Sequence, residues 1–149
     1  MVWGAFSSKG KLQLAFPSTR MDSAEYQSVL RCNLLPFIRR FRKSPMTFQQ
    51  DNASVHVSNS TKAWFTTNKI KVLQWPACSP DCNPMENLWG ILTRKVYSEN
   101  KQYSSIQELK KSILSAWEGI EVETLEDLVK SMENRIFIVI NKNGGYTGY

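Results

Sequence analysis

Asp51 and Glu86 are the residues whose type and placement most directly suggest chemistry. Asp51 follows residues 46–50, a predicted strand, and Glu86 comes just after Pro84, where a helix is predicted to begin. The 34 residues between the two carboxylates have room for one helix and one strand, which would return the chain to the same sheet edge. Carboxylates that meet there would bind Mg²⁺ or Mn²⁺, and a metal pair activates water and stabilises the leaving oxygen in phosphodiester chemistry. Spacing alone leaves another interpretation open, in which Asp51 is a turn residue and Glu86 stabilises the helix dipole.

The elements that must position these carboxylates alternate between strands and helices. Asp22, with Glu25 as its reciprocal partner, is predicted to cap the first helix, which Pro36 should kink. Ser105 and Glu108 form the same capping pattern in the C-terminal part. This order predicts an α/β domain with helices on the sheet faces and a helical C-terminal portion. The predicted strands are residues 2–6 and 12–16, which form a hairpin, and residues 46–50 and 71–75. The predicted helices are about 22–41, 58–67, one from Met85, one after Ser105, and a last one that ends before Gly144.

The composition is that of a folded domain with a basic surface. Of the 149 residues, 42% are hydrophobic and 11% aromatic, which excludes a disordered tail. No apolar run approaches the roughly 20 residues of a membrane span, and the first residues do not resemble a secretory leader. Three cysteines are too few for a disulfide framework, which favours a reducing compartment. A net charge of +6 suits a polyanionic partner such as nucleic acid.

Two motifs resemble the catalytic core of Tc/mariner-type transposases of the DDE superfamily. They are residues 50–58 (QDNASVHVS) and residues 75–89 (WPACSPDCNPMENLW). The first seven residues and the final GGYTGY also resemble this family, so the resemblance covers essentially the whole chain. It implies an α/β, ribonuclease-H-like core that lacks its first strand and carries C-terminal helices. Residues 1–149 would then form one partial catalytic domain, with the ribonuclease-H-like portion over about 1–100 and the C-terminal helices over about 104–140.

The resemblance assigns roles to individual residues. Asp51 resembles the second acidic metal ligand of the family and Glu86 the third, in a two-metal site for Mg²⁺ or Mn²⁺. Asn52 and His56 belong to the same motif and would shape the site. The other interpretation is that Asn52 is a turn residue and His56 a surface histidine beside a helix start. The implied activity is metal-dependent cleavage of double-stranded DNA at transposon ends, followed by transfer of the 3′-hydroxyl to TA targets. Such a protein would act in the nucleus.

Two parts of the family pattern are not found in these 149 residues. The first catalytic Asp lies in the family on a strand upstream of the one containing Trp3, and a helix-turn-helix DNA-binding region precedes that strand. We therefore expect a C-terminal fragment with two of three acidic ligands, a weakened or oligomerising sheet with little hydrogen-exchange protection over residues 2–6, and no activity of this chain alone. The alternative is a non-catalytic, transposon-derived fragment that binds DNA or associates with full-length transposase. The expected partners are double-stranded DNA and either a second copy of this chain, in a homodimer, or full-length transposase.

Several other features have both a functional and a structural interpretation. Cys78 and Cys82 form a C-x3-C pair, but a second close pair is missing, so zinc is disfavoured. Family members usually have Arg and Leu at these two positions. The tryptophans on helical apolar stripes are predicted to pack in the core rather than stack on bases. Six cations could contact DNA phosphates or simply lie at solvated helix ends: Arg39, Arg40, Arg42, Lys43, Arg94 and Lys95.

Overall fold

The computed structural model describes residues 1–18, 20–74, 76 and 79–149. The chain forms two compact units. Unit 1 comprises Met1–Gly4 and Ala15–Cys78, and unit 2 comprises Ala5–Leu14 and Ser79–Tyr149. Among the described helices, none is both long and apolar enough to cross a bilayer.

Helices are the main regular structure of both units. Unit 1 contains α1 (Ser23–Arg40), α2 (Ser54–Val57) and α3 (Asn59–Thr67). Unit 2 contains β1 (Phe6–Ser7), β2 (Gly10–Lys11), α4 (Pro84–Val96), α5 (Ile106–Glu118) and α6 (Val122–Asn141), with 3-10 turns at Pro80–Cys82 and Ser98–Asn100.

The predicted N-terminal hairpin is present, but its strand pairing is shorter than the apolar pattern suggested. In unit 2, β1 and β2 pair antiparallel with Phe6 opposite Lys11, and Gly10 takes a φ of +128° at the tight turn. In unit 1, Trp3 and Ala15 form an isolated antiparallel bridge with N–H···O distances of 2.8 and 2.9 Å. The hairpin therefore has short stretches of pairing instead of two five-residue strands.

The two later strands of the prediction are reduced to one parallel bridge in unit 1, between Phe48 and Val72. The Phe48 N–H donates to the Lys71 carbonyl and the Phe48 carbonyl accepts from the Leu73 N–H, both at 2.8 Å. In the parts of the chain that the structure describes, no other strand extends this pair. Because only this bridge forms, the prediction of full strands here is wrong. An isolated parallel pair is weak, which accounts for the short pairing. Trp75, the last residue of the second predicted strand, lies outside the described residues.

The helix starts follow the predicted caps, with one shared difference. Asp22 Oδ1 accepts the N–H of Glu25 at 2.8 Å, and Ser105 Oγ accepts the N–H of Glu108 at 3.1 Å. The two glutamates do not close reciprocal capping boxes. Glu25 instead accepts hydrogen bonds from the N–H and hydroxyl of Ser18 at 2.8 and 2.6 Å, which lower the pKa of the Glu25 carboxyl.

Helix α1 continues through Pro36, the residue predicted to kink it.

Glu108 behaves in the same way. It accepts from the N–H and hydroxyl of Ser104 at 3.0 and 2.8 Å, one residue before the cap, and the pKa of its carboxyl is lowered by these bonds. Each glutamate therefore ties the preceding loop to the helix start rather than capping the helix itself.

The core of unit 2 is built on α4 and α5. Leu88, Leu92 and Val96 lie on one face of α4 and are at most 5% exposed. Trp117 on α5 is 1% exposed, stacks on Trp89 at a centroid distance of 6.0 Å, and donates its indole N–H to the Leu12 carbonyl at 2.8 Å. The prediction that these tryptophans pack in the core is confirmed.

Unit 1 has a smaller core between α1 and α3. Tyr26, Leu30 and Leu34 line the buried face of α1, and Trp64 and Phe65 are buried on α3. The two aromatic rings of α3 meet edge to face at 5.4 Å.

Two lysines terminate α5. The ammonium of Lys11 donates to the carbonyls of Glu118 and Ile120 at 2.7 and 2.6 Å, and that of Lys95 donates to Gly119 at 2.7 Å. Carbonyls at a helix C-terminus have no partner within the helix, and they favour cations. These two side chains therefore satisfy the end of α5.

Candidate functional site

The carboxylate of Asp51 is held in place and remains exposed. Its Oδ1 accepts the N–H of Ala53 at 3.0 Å and lies 2.6 Å from Nδ1 of His56. The first of these bonds forms a local turn of the kind that Asp favours, just before α2. The side chain is still 61% exposed. The turn interpretation of Asp51 therefore holds, but it leaves a fixed carboxylate that is accessible to a ligand.

His56 is the group that orients Asp51. Its side chain is 17% exposed, and its ring lies on that of Tyr26 with a centroid distance of 4.2 Å and an interplanar angle of 34°. An ionised carboxylate only accepts, so Nδ1 is the donor in the bond to Asp51. The structure therefore places the His56 ring directly against the carboxylate of Asp51.

A buried phenol and an amide complete this arrangement in unit 1. Tyr26 is 1% exposed, and its hydroxyl donates to Oε1 of Gln50 at 2.6 Å. Burial raises the pKa of Tyr26, so the phenol stays protonated and serves as a donor. The amide of Gln50 in turn donates to the backbone carbonyl of His56 at 3.1 Å. The chain Tyr26–Gln50–His56–Asp51 thus connects the core of α1 to the carboxylate.

Tyr26 is not among the predicted site residues, and Gln50 is predicted only as the first residue of the motif at 50–58. A usable signal was nevertheless present, because a tyrosine on a buried helix face needs a partner for its hydroxyl. The polar residue directly before Asp51 was the available one.

Glu86 stands in the first turn of α4, in unit 2. Asn83 caps this helix: its Oδ1 accepts the N–H of Met85 at 3.1 Å, and its carbonyl accepts the N–H of Glu86 at 3.1 Å. The fully buried Leu88 is two positions further on, roughly on the opposite side of a helix with 3.6 residues per turn. Glu86 is consequently exposed, with its carboxylate next to the positive end of the helix.

The donor set of these residues suits a hard divalent cation. Asp51 and Glu86 offer carboxylate oxygens, which Mg²⁺ and Mn²⁺ prefer, and both side chains are exposed. Within the described residues, no group of three His, Cys, Asp or Glu side chains is clustered to hold a metal. Asn52 is exposed beside Asp51.

The predicted DNA-contacting cations lie at helix ends. Arg39 and Arg40 occupy the last turn of α1, with the Arg40 guanidinium 5.5 Å from the centre of the Phe41 ring. Arg42 and Lys43 follow in the next turn; all four cations are exposed.

The other two predicted DNA-contacting cations, Arg94 and Lys95, are in unit 2 and differ in their surroundings. Arg94 is exposed in the last turn of α4, whereas the ammonium of Lys95 is bound to the end of α5 as described above. Both groups of cations remain predicted phosphate contacts, and Lys95 already has a structural partner.

The cysteine pair has no assembled site in the described residues. The thiol of Cys82 is buried, and burial raises its pKa, whereas Cys32 is exposed. Cys78, the other member of the C-x3-C pair, lies outside the described residues.

Comparison with known proteins adds three findings. Residues 1–110 match the family described as DDE superfamily endonuclease. The chain is 49% identical over 149 residues to the Tc3 transposable element transposase of Caenorhabditis elegans, which covers all of this chain and 45% of that protein. It also matches a Mos1 mariner paired end complex with Mn, at 20% identity and a TM-score of 0.84 over 97% of this chain and 44% of that one.

A further structure, the Mos1 transposase catalytic domain with Raltegravir and Mg, matches 98% of this chain and 82% of its own length at 20% identity and a TM-score of 0.76. These likenesses confirm the predicted ribonuclease-H-like α/β fold, although the strand pairing in this chain is short. The chain spans about half the length of the curated relatives it matches.

Proposed function

Because this chain belongs to the DDE superfamily of endonucleases, we propose that it forms the part of a Tc/mariner-type transposase catalytic core that supplies two acidic metal ligands, Asp51 and Glu86. The observation that carries the proposal is the carboxylate of Asp51, held by His56 and Ala53 yet 61% exposed. A buried tyrosine, a glutamine and a histidine thus lead to an exposed carboxylate and fix it in place. An active site gains from it, since ligand orientation tunes metal affinity.

The cofactor in this proposal is Mg²⁺ or Mn²⁺, since structures with the same fold are described with each of them. When bound, such ions activate water and stabilise the leaving oxygen of a phosphodiester. The residues of this chain contribute the orientation: His56 restrains Asp51, and the cap at Asn83 begins the helix that presents Glu86.

The substrate in this proposal is double-stranded DNA at transposon ends, with joining of the 3′-hydroxyl to TA targets. Support comes from fold relatives that are described as paired-end and strand transfer complexes. The exposed cations at the end of α1 are suited to the phosphate backbone. Action in the nucleus and assembly as a homodimer follow from the same proposal.

The third acidic ligand is proposed to come from outside these 149 residues. We therefore expect the purified 149-residue chain to show no metal-dependent nicking of transposon-end DNA. A chimera is expected to be active, in which these residues replace the matching segment of the Tc3 transposase. The match covers the chain from end to end without a length change, so the replacement needs no new linker. The measurement is release of end-labelled DNA in Mn²⁺, with the unmodified Tc3 transposase as reference.

Two results would oppose this assignment. Nicking by the chain alone would show that two carboxylates are enough or that the third is already present. A folded chimera that binds transposon ends but never cuts them would favour the alternative, a non-catalytic fragment that binds DNA or associates with transposase.

The role of His56 has its own test. In the chimera, His56→Ala should lower the apparent affinity for Mn²⁺ about 10–100-fold, because Asp51 loses its orienting donor. His56→Asn places an amide donor near the position of Nδ1 and should recover part of the loss. Half-saturating Mn²⁺ for DNA cleavage is the measured quantity. Equal losses in the two variants would rule out an orienting hydrogen bond.

A further inference from the structure

Arg135 on α6 is a buried cation beside the start of α4. It is 1% exposed, and all of its nitrogens donate: Nη1 to the carbonyl of Asp81 at 2.7 Å, Nη2 to Oδ1 of Asn87 at 2.9 Å, and Nε to Oγ of Ser131 at 3.0 Å. A buried charge is costly unless it is hydrogen-bonded, and here each of the three nitrogens makes one hydrogen bond, through three of the five N–H groups. These bonds fix the guanidinium in one place beside the start of α4.

The C-terminal residues Thr147 and Tyr149 also contact Asp81 and Arg135. The ring of Tyr149 lies 4.2 Å from Cζ of Arg135, and its hydroxyl accepts from the amide of Asn134 at 2.6 Å. The N–H of Thr147 donates to Oδ2 of Asp81 at 2.7 Å, which lowers the pKa of the Asp81 carboxyl. The tail and the guanidinium therefore bind the same residue from two directions.

The two acceptors of the guanidinium lie on either side of Glu86 along the chain. Asp81 is in the 3-10 turn that leads into α4, and Asn87 is the residue directly after Glu86. One rigid, planar group thus joins the approach to the helix with its first turn. Lysine could not do this, because its ammonium is a single point of donation on a flexible stem.

We propose that Arg135, with Thr147 and Tyr149 of the C-terminal tail, is a positioning device that holds the first turn of α4 so that Glu86 presents its carboxylate in one orientation. This inference rests on the proposed function, in which Glu86 is a metal ligand. None of the three residues touches the metal or the DNA in this scheme. They act through the Asp81 turn and Asn87.

The first test uses hydrogen exchange of the 149-residue chain, without metal or DNA. In Arg135→Lys, the N–H groups of Met85 and Glu86 should exchange about tenfold faster, since a hydrogen bond to a charged group is lost on each side of them. The amides of α5 should keep their rates. Tyr103→Phe is the matched control, because it removes bonds to Val96 at the opposite end of α4 and to Ser112.

The second test uses the active chimera. Arg135→Lys should raise the half-saturating Mn²⁺ concentration about 10–100-fold, as is typical when a partner of a metal ligand is lost. The dissociation constant for transposon-end DNA should stay unchanged, and Tyr103→Phe should alter neither quantity. A purely structural role would lower the amount of folded enzyme without moving the Mn²⁺ requirement.

Failures of the two proposals are distinguishable. If Glu86→Gln in the chimera still cuts DNA, the proposed function of Glu86 is wrong whatever Arg135 does. If Glu86→Gln is inactive while Arg135→Lys leaves both exchange and the Mn²⁺ requirement unchanged, the positioning role is wrong. Should Arg135→Lys fail to fold, a chain ending at Tyr146 decides the question, because it removes the tail contacts without a core cavity. Faster exchange at Met85 with a higher Mn²⁺ requirement supports the proposal, and unchanged values overturn it.

Discussion

Replacing Glu86 with Gln in the chimera is expected to lower the rate of DNA cleavage by about a thousandfold, because a metal supplies several kcal/mol of transition-state stabilisation and about 1.4 kcal/mol is a tenfold change in rate. Gln keeps the size and the helix propensity of Glu but loses the negative charge. The side chain is exposed, so the fold loses only its interaction with the helix dipole, about 0.3–1 kcal/mol. The measurement is single-turnover cleavage of end-labelled DNA at saturating Mn²⁺.

The matched control for this variant is Glu123→Gln. Glu123 is also an exposed glutamate in the first turn of a helix, α6, so it reports the dipole effect alone. Its cleavage rate should be unchanged. Asp51→Asn should be as inactive as Glu86→Gln, and the double variant hardly worse, since ligands of one site act as a unit. A Glu86→Gln enzyme that retains a tenth of the parent rate would remove this residue from the site.

Trp117→Ala has the largest expected effect on stability. The side chain is 1% exposed and packs in the core of unit 2, so its removal should lower the free energy of unfolding by about 3–5 kcal/mol. The Leu12 carbonyl also loses its indole donor. Urea titration of the 149-residue chain, followed by circular dichroism, measures the loss as a lower midpoint with an unchanged slope.

Two variants on the same helix bracket that result. Trp117→Phe keeps an aromatic ring and should lose less stability than the alanine variant. Leu114→Ala removes a side chain that is 41% exposed, and its effect should stay within about 1 kcal/mol. A Trp117→Ala chain that unfolds at the parent midpoint would show that the core is not built around this residue.

Local patterns predicted the helices well, because their determinants lie within a few residues. Asp22 and Ser105 cap the helices as expected, and α4 begins at Pro84. Strand lengths were overestimated, since the extent of pairing depends on neighbouring strands that a local pattern does not contain. Phe48 and Val72 show this: each lies in a segment predicted as a strand, yet only one bridge forms between them.

The candidate site was predicted in part for the same physical reason. Asp51 and His56 lie five positions apart in one motif, so their proximity could be anticipated, although the hydrogen bond between them could not. Arg135 was missed, because its partners Asp81 and Asn87 are 54 and 48 residues away in sequence. The only local indication of such a contact is that a cation occurs among the apolar positions of a predicted helix. That the carboxylates of Asp51 and Glu86 meet in one metal site remains a prediction.

The lysines at the end of α5 change how the net charge of +6 relates to DNA. The ammonium groups of Lys11 and Lys95 already donate to backbone carbonyls, and the guanidinium of Arg135 is buried. Affinity for a duplex comes largely from the counterions that are released when cations take their place along the phosphates. Cations that already bind the protein's own backbone are not available to neutralise phosphates, so they release few counterions from the DNA. Under the proposed function, these three residues should therefore contribute little to the steepness with which added salt weakens DNA binding, whereas exposed cations such as Arg39 and Arg40 at the end of α1 should contribute to it.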